Sequence, residues 1–171
     1  MNADTRLWKV LPVRWRPLAF NLFPAFRGTG GRVRLVSADF REITVELPLN
    51  WRTRNYVGTT FGGSLYASVD PFYMIMLIQT LGPEYVVWDK SAAIRFRKPG
   101  RSTLYARFLL LGSETDEIRR LLETAPSIDR LYTVELKDAQ GVVHAEVEKT
   151  IYIRRRRPGD PGGTRTGLFP I

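Results

Sequence analysis

The chain has 171 residues, no cysteine, a single histidine and a formal net charge of +9. That length suits one domain with its own core; the missing thiols exclude a disulfide framework, a thiol nucleophile and thiolate metal sites, and one histidine excludes a multi-histidine metal centre. Chemistry therefore falls to carboxylates, amides and backbone groups, while the excess of arginine points to anionic partners: nucleic acid, an acidic membrane surface or a phosphate-bearing small ligand.

Residues 1–30 mix Trp8, Trp15, Leu18, Phe20, Leu22, Phe23 and Phe26 with Arg14, Arg16 and Arg27, and carry Pro12, Pro17 and Pro24. Pro17 suits the start of a short helix running to about Phe23. The segment lacks the apolar run and cleavage site of a signal peptide, so a helix packed on the body of the protein is expected rather than a membrane-surface one. From Gly31 the apolar period becomes two: Val33 and Leu35, then Ile43, Val45 and Leu47, predict two half-buried strands joined near Asp39 to Arg41.

A polar loop from Asn50 to Thr60 follows, and then a nearly all-apolar stretch to Leu81, closed by Gly82-Pro83. A helix apolar on all sides is a buried helix. It is no membrane span, because Ser68, Asp70, Pro71 and Gln79 interrupt the roughly 20 apolar residues that spanning requires. Its expected start is Phe61 to Ser64, capped by Thr59 or Thr60, with a kink at Pro71. Asp70 is the one charged side chain between Asn55 and Pro83. A lone carboxylate in apolar surroundings needs either a raised pKa or a partner, and such acids are enriched at functional sites.

Strand patterns return with Ala92, Ile94 and Phe96, a Pro99-Gly100 turn, and Leu104 to Leu110. Glu114 to Thr124 predicts a surface helix capped by Ser113, with Ile118, Leu121 and Leu122 inward. Two last strands, Tyr132 to Leu136 and Val143 to Ile153, flank the turn from Asp138 to Gly141. His144 reads as a surface strand residue without chemistry. Arg154 to Arg157 read as a solvated run leading into a Pro/Gly-rich tail over 158–171, too poor in apolar residues to pack alone. The expected organisation is an N-terminal helical segment over 1–30, one domain over 31–157 and a flexible tail over 158–171. The fold class is α+β, one antiparallel sheet wrapped around one long helix, with an extra N-terminal helix.

Asn55, Gly58, Phe61-Gly62-Gly63 and Asp70 form the spacing NxxGxxFGG with an acid seven residues on. Together with the element order, this resembles the hotdog-fold acyl-CoA thioesterases, particularly the phenylacetic-acid-degradation type, and a further branch of that superfamily with a similar central segment. The resemblance spans about Gly31 to Arg154 in element order, and Asn55 to Asp70 in motif. It implies hydrolysis of an acyl-CoA-type thioester. Gly63 would offer its backbone N–H to the thioester oxygen, Asp70 would act as general base or nucleophile, and Asn55 would orient water or substrate. Gly58, Phe61 and Gly62 would shape the substrate loop, in a dimer or dimer of dimers whose site draws on two subunits. The departure is Phe61, where many relatives have histidine.

The resemblance also suggests that basic residues meet the phosphates of coenzyme A, through Arg95, Arg97, Lys98 and Arg101 by the Pro99-Gly100 turn or Arg52 and Arg54 by the loop. Arg95 and Arg97 fit an ordinary solvated strand face equally well. Tyr66, Phe72, Tyr73 and Met76 are candidates for an acyl pocket and, more simply, for plain core. No metal and no cofactor beyond the coenzyme A thioester are expected, and the expected location is cytoplasmic. Rival functions are a non-catalytic acyl-ligand binder on the same fold, which the missing histidine favours, and a basic nucleic-acid module, which lacks the interleaved aromatics of single-strand binders. A dehydratase would need an Asp/His pairing that the sequence does not offer.

Overall fold

Strand alternation and one all-apolar helix demand a sheet with one face closed by that helix, and a computed structural model of the protein has this arrangement. It describes residues 11–158 and 160. The start of the expected N-terminal segment, and the expected tail apart from Pro158 and Asp160, lie outside the described residues. In chain order the elements are α1 (Arg16–Leu22), α2 (Pro24–Thr29), β1 (Arg32–Val36), β2 (Glu42–Leu47), α3 (Gly62–Ala67), α4 (Phe72–Leu81), β3 (Tyr85–Phe96), β4 (Leu104–Leu109), α5 (Gly112–Thr124), β5 (Ile128–Lys137) and β6 (Val143–Arg155). The strands form one six-stranded sheet in the order β1-β2-β4-β5-β6-β3, with antiparallel neighbours throughout.

The central helix is bent, as Pro71 requires: α3 ends at Ala67, residues 68–71 form turns, and α4 resumes at Phe72. Phe72 is the centre of the core, fully buried, with the rings of Phe20, Phe26 and Phe108 at centroid distances of 5.9, 5.4 and 5.1 Å. The N-terminal helices therefore cover the core, as expected. Arg16 ties α1 down by donating from Nη1 to the carbonyls of Ser37 and Ala38, at 2.8 Å each, while its guanidinium stacks over Phe40.

Several local expectations need correction. Neither Thr59 nor Thr60 caps the central helix; Phe61 takes the cap position, without a side-chain bond, because Thr60 Oγ1 donates to the Gly100 carbonyl and Thr59 Oγ1 accepts from Asn55. α5 begins at Gly112, so Ser113 lies inside it and Leu111 takes the cap position. β3 reaches back to Tyr85 and is the edge of the sheet, where Ala92 and Phe96 are exposed rather than inward. The arginine run is partly structural: Arg154 and Arg155 end β6, Arg154 pairs with Asp160, and Arg156 donates to the Pro83 carbonyl. β4 and β5 touch through one bridge, Tyr105 with Lys137, and part where α5 is inserted.

Candidate active site

The loop before α3 is closed from within. Asn55 Oδ1 accepts from the amides of Val57 and Thr59 at 3.2 and 3.0 Å, Asn55 Nδ2 donates to Thr59 Oγ1 at 2.9 Å, and Gly58 turns the chain at φ +84°. The Asn55 side chain thus builds its own turn and keeps one Nδ2 N–H without an acceptor among the described residues. The loop presents Trp51, Tyr56 and Val57 to solvent, and is anchored at its base by the Phe61 amide on the Thr53 carbonyl and the Thr60 amide on the Gly100 carbonyl.

At the start of α3 the amides of Gly62, Gly63 and Ser64 have no acceptor among the described residues. These are the open donors that a helix start leaves, at the positive end of the helix dipole. Two half-exposed rings frame them. A methyl group at Gly63 would run into the ring of Phe61, and one at Gly62 would come within 3.2 Å of Phe96. Phe61 and Gly62 thus lie beside the open amides, with Phe96 of β3 next to them.

Two helical turns further on, at the bend, Asp70 is neither lone nor fully buried. Its Oδ1 accepts from the Tyr66 hydroxyl at 2.6 Å and from Lys149 Nζ at 2.7 Å, and the side chain is 40% exposed. Lys149 is 1% exposed and also donates to the Asp70 carbonyl at 2.6 Å and to Asp89 Oδ2 at 2.8 Å. One buried ammonium thus faces two carboxylates. Burial pushes the Asp89 carboxyl above the ordinary range, the hydrogen bond and charge of Lys149 pull it back, and the charge of Asp70 adds to the rise. Burial first, and then Asp70, push the Tyr66 phenol upward, so it remains a donor at neutral pH. Asp70 Oδ2 has no partner among the described residues.

Lys149 and Asp89 carry a signal in the sequence. Lys149 falls in phase with Ala145, Val147, Ile151 and Ile153, and Asp89 with Tyr85 and Val87, so period two places both on the inner face, where charge demands a partner. The other acyl-pocket candidates are core: Phe72, Tyr73 and Met76 are buried, and the Tyr73 hydroxyl donates to the Thr133 carbonyl at 3.2 Å.

The expected phosphate-binding residues divide. Arg95 pairs with Glu148 at 2.9 Å and with Glu146 at 3.3 Å, and Arg97 shares Glu146, so both guanidinium groups are neutralised on the strand face. Lys98, Arg101 and Arg54 make no ion pair with a described residue; Arg54 faces Thr60 across an isolated bridge in the loop. His144 is buried rather than on the surface: Nδ1 lies 3.1 Å from the Pro99 carbonyl and Nε2 lies 3.0 Å from Asp138 Oδ2, which fixes the β3–β4 turn to the β5–β6 turn. Among the described residues no group of three or more carboxylate, histidine or thiol side chains is placed to hold a metal ion, and no helix is long and apolar enough to cross a membrane.

The family model for a domain of unknown function, DUF4442, matches residues 16–153, and the chain belongs to that family. No curated protein matches it. Among solved structures, a Pseudomonas aeruginosa protein of unknown function described as a probable thioesterase superposes with a TM-score of 0.76 at 17% identity, covering 85% of this chain and 97% of that one. A Haemophilus influenzae thioesterase gives 0.63 at 15% identity, covering 87% and 95%, and a mutant thioesterase from Pseudomonas aeruginosa gives 0.62 at 12%, covering 86% and 96%. At such identities the likeness establishes the fold alone, and the fold is the hotdog fold.

Proposed function

We propose that this member of the DUF4442 family hydrolyses a thioester, with acyl-coenzyme A as its substrate class. The observation that carries the proposal is the pairing, on one bent helix, of unused amides at the start with an oriented, half-exposed carboxylate at the bend. The Gly63 amide receives the carbonyl oxygen as it gains negative charge; such a donor is typically worth about 10²–10³ in rate. Asp70 Oδ2 takes a proton from water as the water oxygen bonds to the carbonyl carbon, and it returns that proton to the departing sulfur as the carbon–sulfur bond breaks, which releases the thiol and the carboxylic acid and restores the carboxylate. Tyr66 and Lys149 hold Oδ1 and so fix the direction in which Oδ2 points.

Gly63 and Asp70 are seven residues apart, about 10 Å along a helix axis. That exceeds what one thioester carbonyl and its attacking water can bridge, so the two groups act together across two subunits. The β3 edge fits such a dimer: twelve residues long, with Trp88 and Phe96 more than half exposed, it carries an open ladder that a second copy can complete.

The test is release of free thiol from short, long and aromatic acyl-CoAs. Asp70→Asn should lose at least about 10² in turnover. Gly63→Pro removes the amide donor at a helix position where proline is tolerated, and should lose a similar factor. Mixed dimers of the two variants rebuild one intact site in two, so co-refolding should restore up to about a quarter of wild-type activity; no restoration sinks the two-subunit site. The second reading, a binder without turnover, is favoured by Phe61 at the histidine position. It takes over if no acyl-CoA is hydrolysed while acyl-CoA still raises the melting temperature of wild type and of Asp70→Asn alike.

A further inference from the structure

Beside the loop that carries Trp51, between that loop and the α2–β1 junction, lies a cavity of about 350 Å³. Arg27 of α2, Arg32 of β1 and Arg52 of the loop line it, together with Gly30, Gly31 and the exposed Trp51. No carboxylate lines it.

Several arginines on the strands are paired within the chain: Arg34 with Glu46, Arg107 with Glu42, and Arg130 with Glu114. The three guanidinium groups of the cavity make no hydrogen bond or ion pair with any described residue. Cations gathered without a counter-charge repel one another, and a bound anion relieves that repulsion. Trp51 is 82% exposed, an indole with almost no packing of its own beside a phosphate-sized concentration of charge. Arginine forks match phosphate oxygens, and an open indole face offers a stacking surface for a planar ring. The volume falls within the usual range of small-ligand sites.

We propose that this cavity binds a nucleoside phosphate, its phosphates on Arg27, Arg32 and Arg52 and its base on Trp51. The pocket adjoins the proposed reaction site. Gly31 packs against Ser68, two residues from Asp70, and Thr53, next to Arg52, accepts from the Phe61 amide at 2.7 Å. The ligand is therefore either a free nucleotide or the nucleotide end of a coenzyme A thioester; the latter source rests on the function proposed above.

The experiment is isothermal titration of the full chain with adenosine 3′,5′-bisphosphate, with inorganic phosphate as an anion-only control. Trp51→Ala should weaken bisphosphate binding by about tenfold or more and leave phosphate binding unchanged. The triple change Arg27→Ala/Arg32→Ala/Arg52→Ala should weaken it by about 10² or more, with the wild-type affinity falling steeply as salt rises. All four side chains are outside the core, so the variants should melt with wild type. No heat with the bisphosphate, or binding that survives the triple change, overturns the site. Phosphate binding as tightly as the bisphosphate, with no effect of Trp51→Ala, overturns the nucleoside part.

Thiol-release kinetics separate the sources. A raised KM for acyl-CoA with unchanged kcat in the triple variant assigns the coenzyme A end; an unchanged KM with lost bisphosphate binding assigns a free nucleotide. Bisphosphate binding without thiol release from any acyl-CoA removes the hydrolase proposal and leaves the pocket standing, whereas thiol release without bisphosphate binding removes the pocket alone.

Discussion

At the bend of the central helix every strong charge is met from within the chain, whereas at its start three amide donors face outward between two half-exposed rings. Lys149, buried in an apolar strand face, is fixed by Asp70, Asp89 and a backbone carbonyl. Gly62, Gly63 and Ser64 bond to no described residue. Losing Lys149 would leave Asp70 and Asp89 without the ammonium they share; the start loses nothing by waiting for a ligand. The first is a requirement of folding that also aims Asp70, while the second is an open place for a developing negative charge.

Lys149→Met should break the bend most severely. Removing one partner of a buried ion pair costs about 3–5 kcal/mol, and the lower end applies because Asp70 reaches solvent. Urea denaturation measures it, and the triple change Lys149→Met/Asp70→Asn/Asp89→Asn should recover most of the loss. A fully stable Lys149→Met would mean that the network does not hold the bend.

Glycine substitutions sharpen the contrast. A methyl group at Gly31 would sit 2.9 Å from Ser68 Cβ and 3.1 Å from the Phe26 ring, both packed against the core, so Gly31→Ala should cost about 1–3 kcal/mol. Gly63→Ala meets the Phe61 ring instead, which is 55% exposed and free to swing away. Its stability should remain within about 1 kcal/mol of wild type, because alanine is the better helix former. Equal melting temperatures for the two variants would erase the distinction between a packed and an open region.

Phe61→His should change stability by less than about 0.5 kcal/mol, as exposed positions do, and leave thiol release within a few-fold of wild type. A large loss of turnover would show that the ring itself seats the acyl group.

Acid titration gives the smallest effect. At Glu114 burial opposes the charged form, but the hydrogen bonds from Arg130 and Tyr132 and the charge of Arg130 outweigh it, so its folded pKa lies below the unfolded one. That stability is present above the ordinary glutamate range and lost as the pH falls through the folded value. Asp89 runs the other way. Its folded pKa is raised, so its contribution is greatest below the ordinary aspartate range and declines as the pH rises through the folded value. Melting curves of Glu114→Gln should lose part of the acid-side slope, and those of Asp89→Asn part of the opposing one.

The element order, the buried helix, the Pro71 bend and the strand periodicity could be read from the sequence because each rests on local chemistry: apolar spacing, fixed proline geometry and turn residues. The motif from Asn55 to Asp70 can be read as a resemblance, while the bonds by which the Asn55 side chain holds its own loop follow only from the fold. His144 was misplaced for a related reason. Its phase on β6 is outward, and only the return of the β3–β4 turn across it makes it buried.

The sequence by itself determined the inward and outward alternation of β2 and β4 and where the helix must bend, since burial pattern and backbone restriction act over a few residues. Tertiary structure alone decided that Lys149 on β6, 79 residues from Asp70, meets that carboxylate, and that Arg27, Arg32 and Arg52 share a cavity while Arg95 and Arg97 are neutralised. The physical reason is that charge pairing depends on distances across the fold, which strand order and register set and spacing along the chain does not.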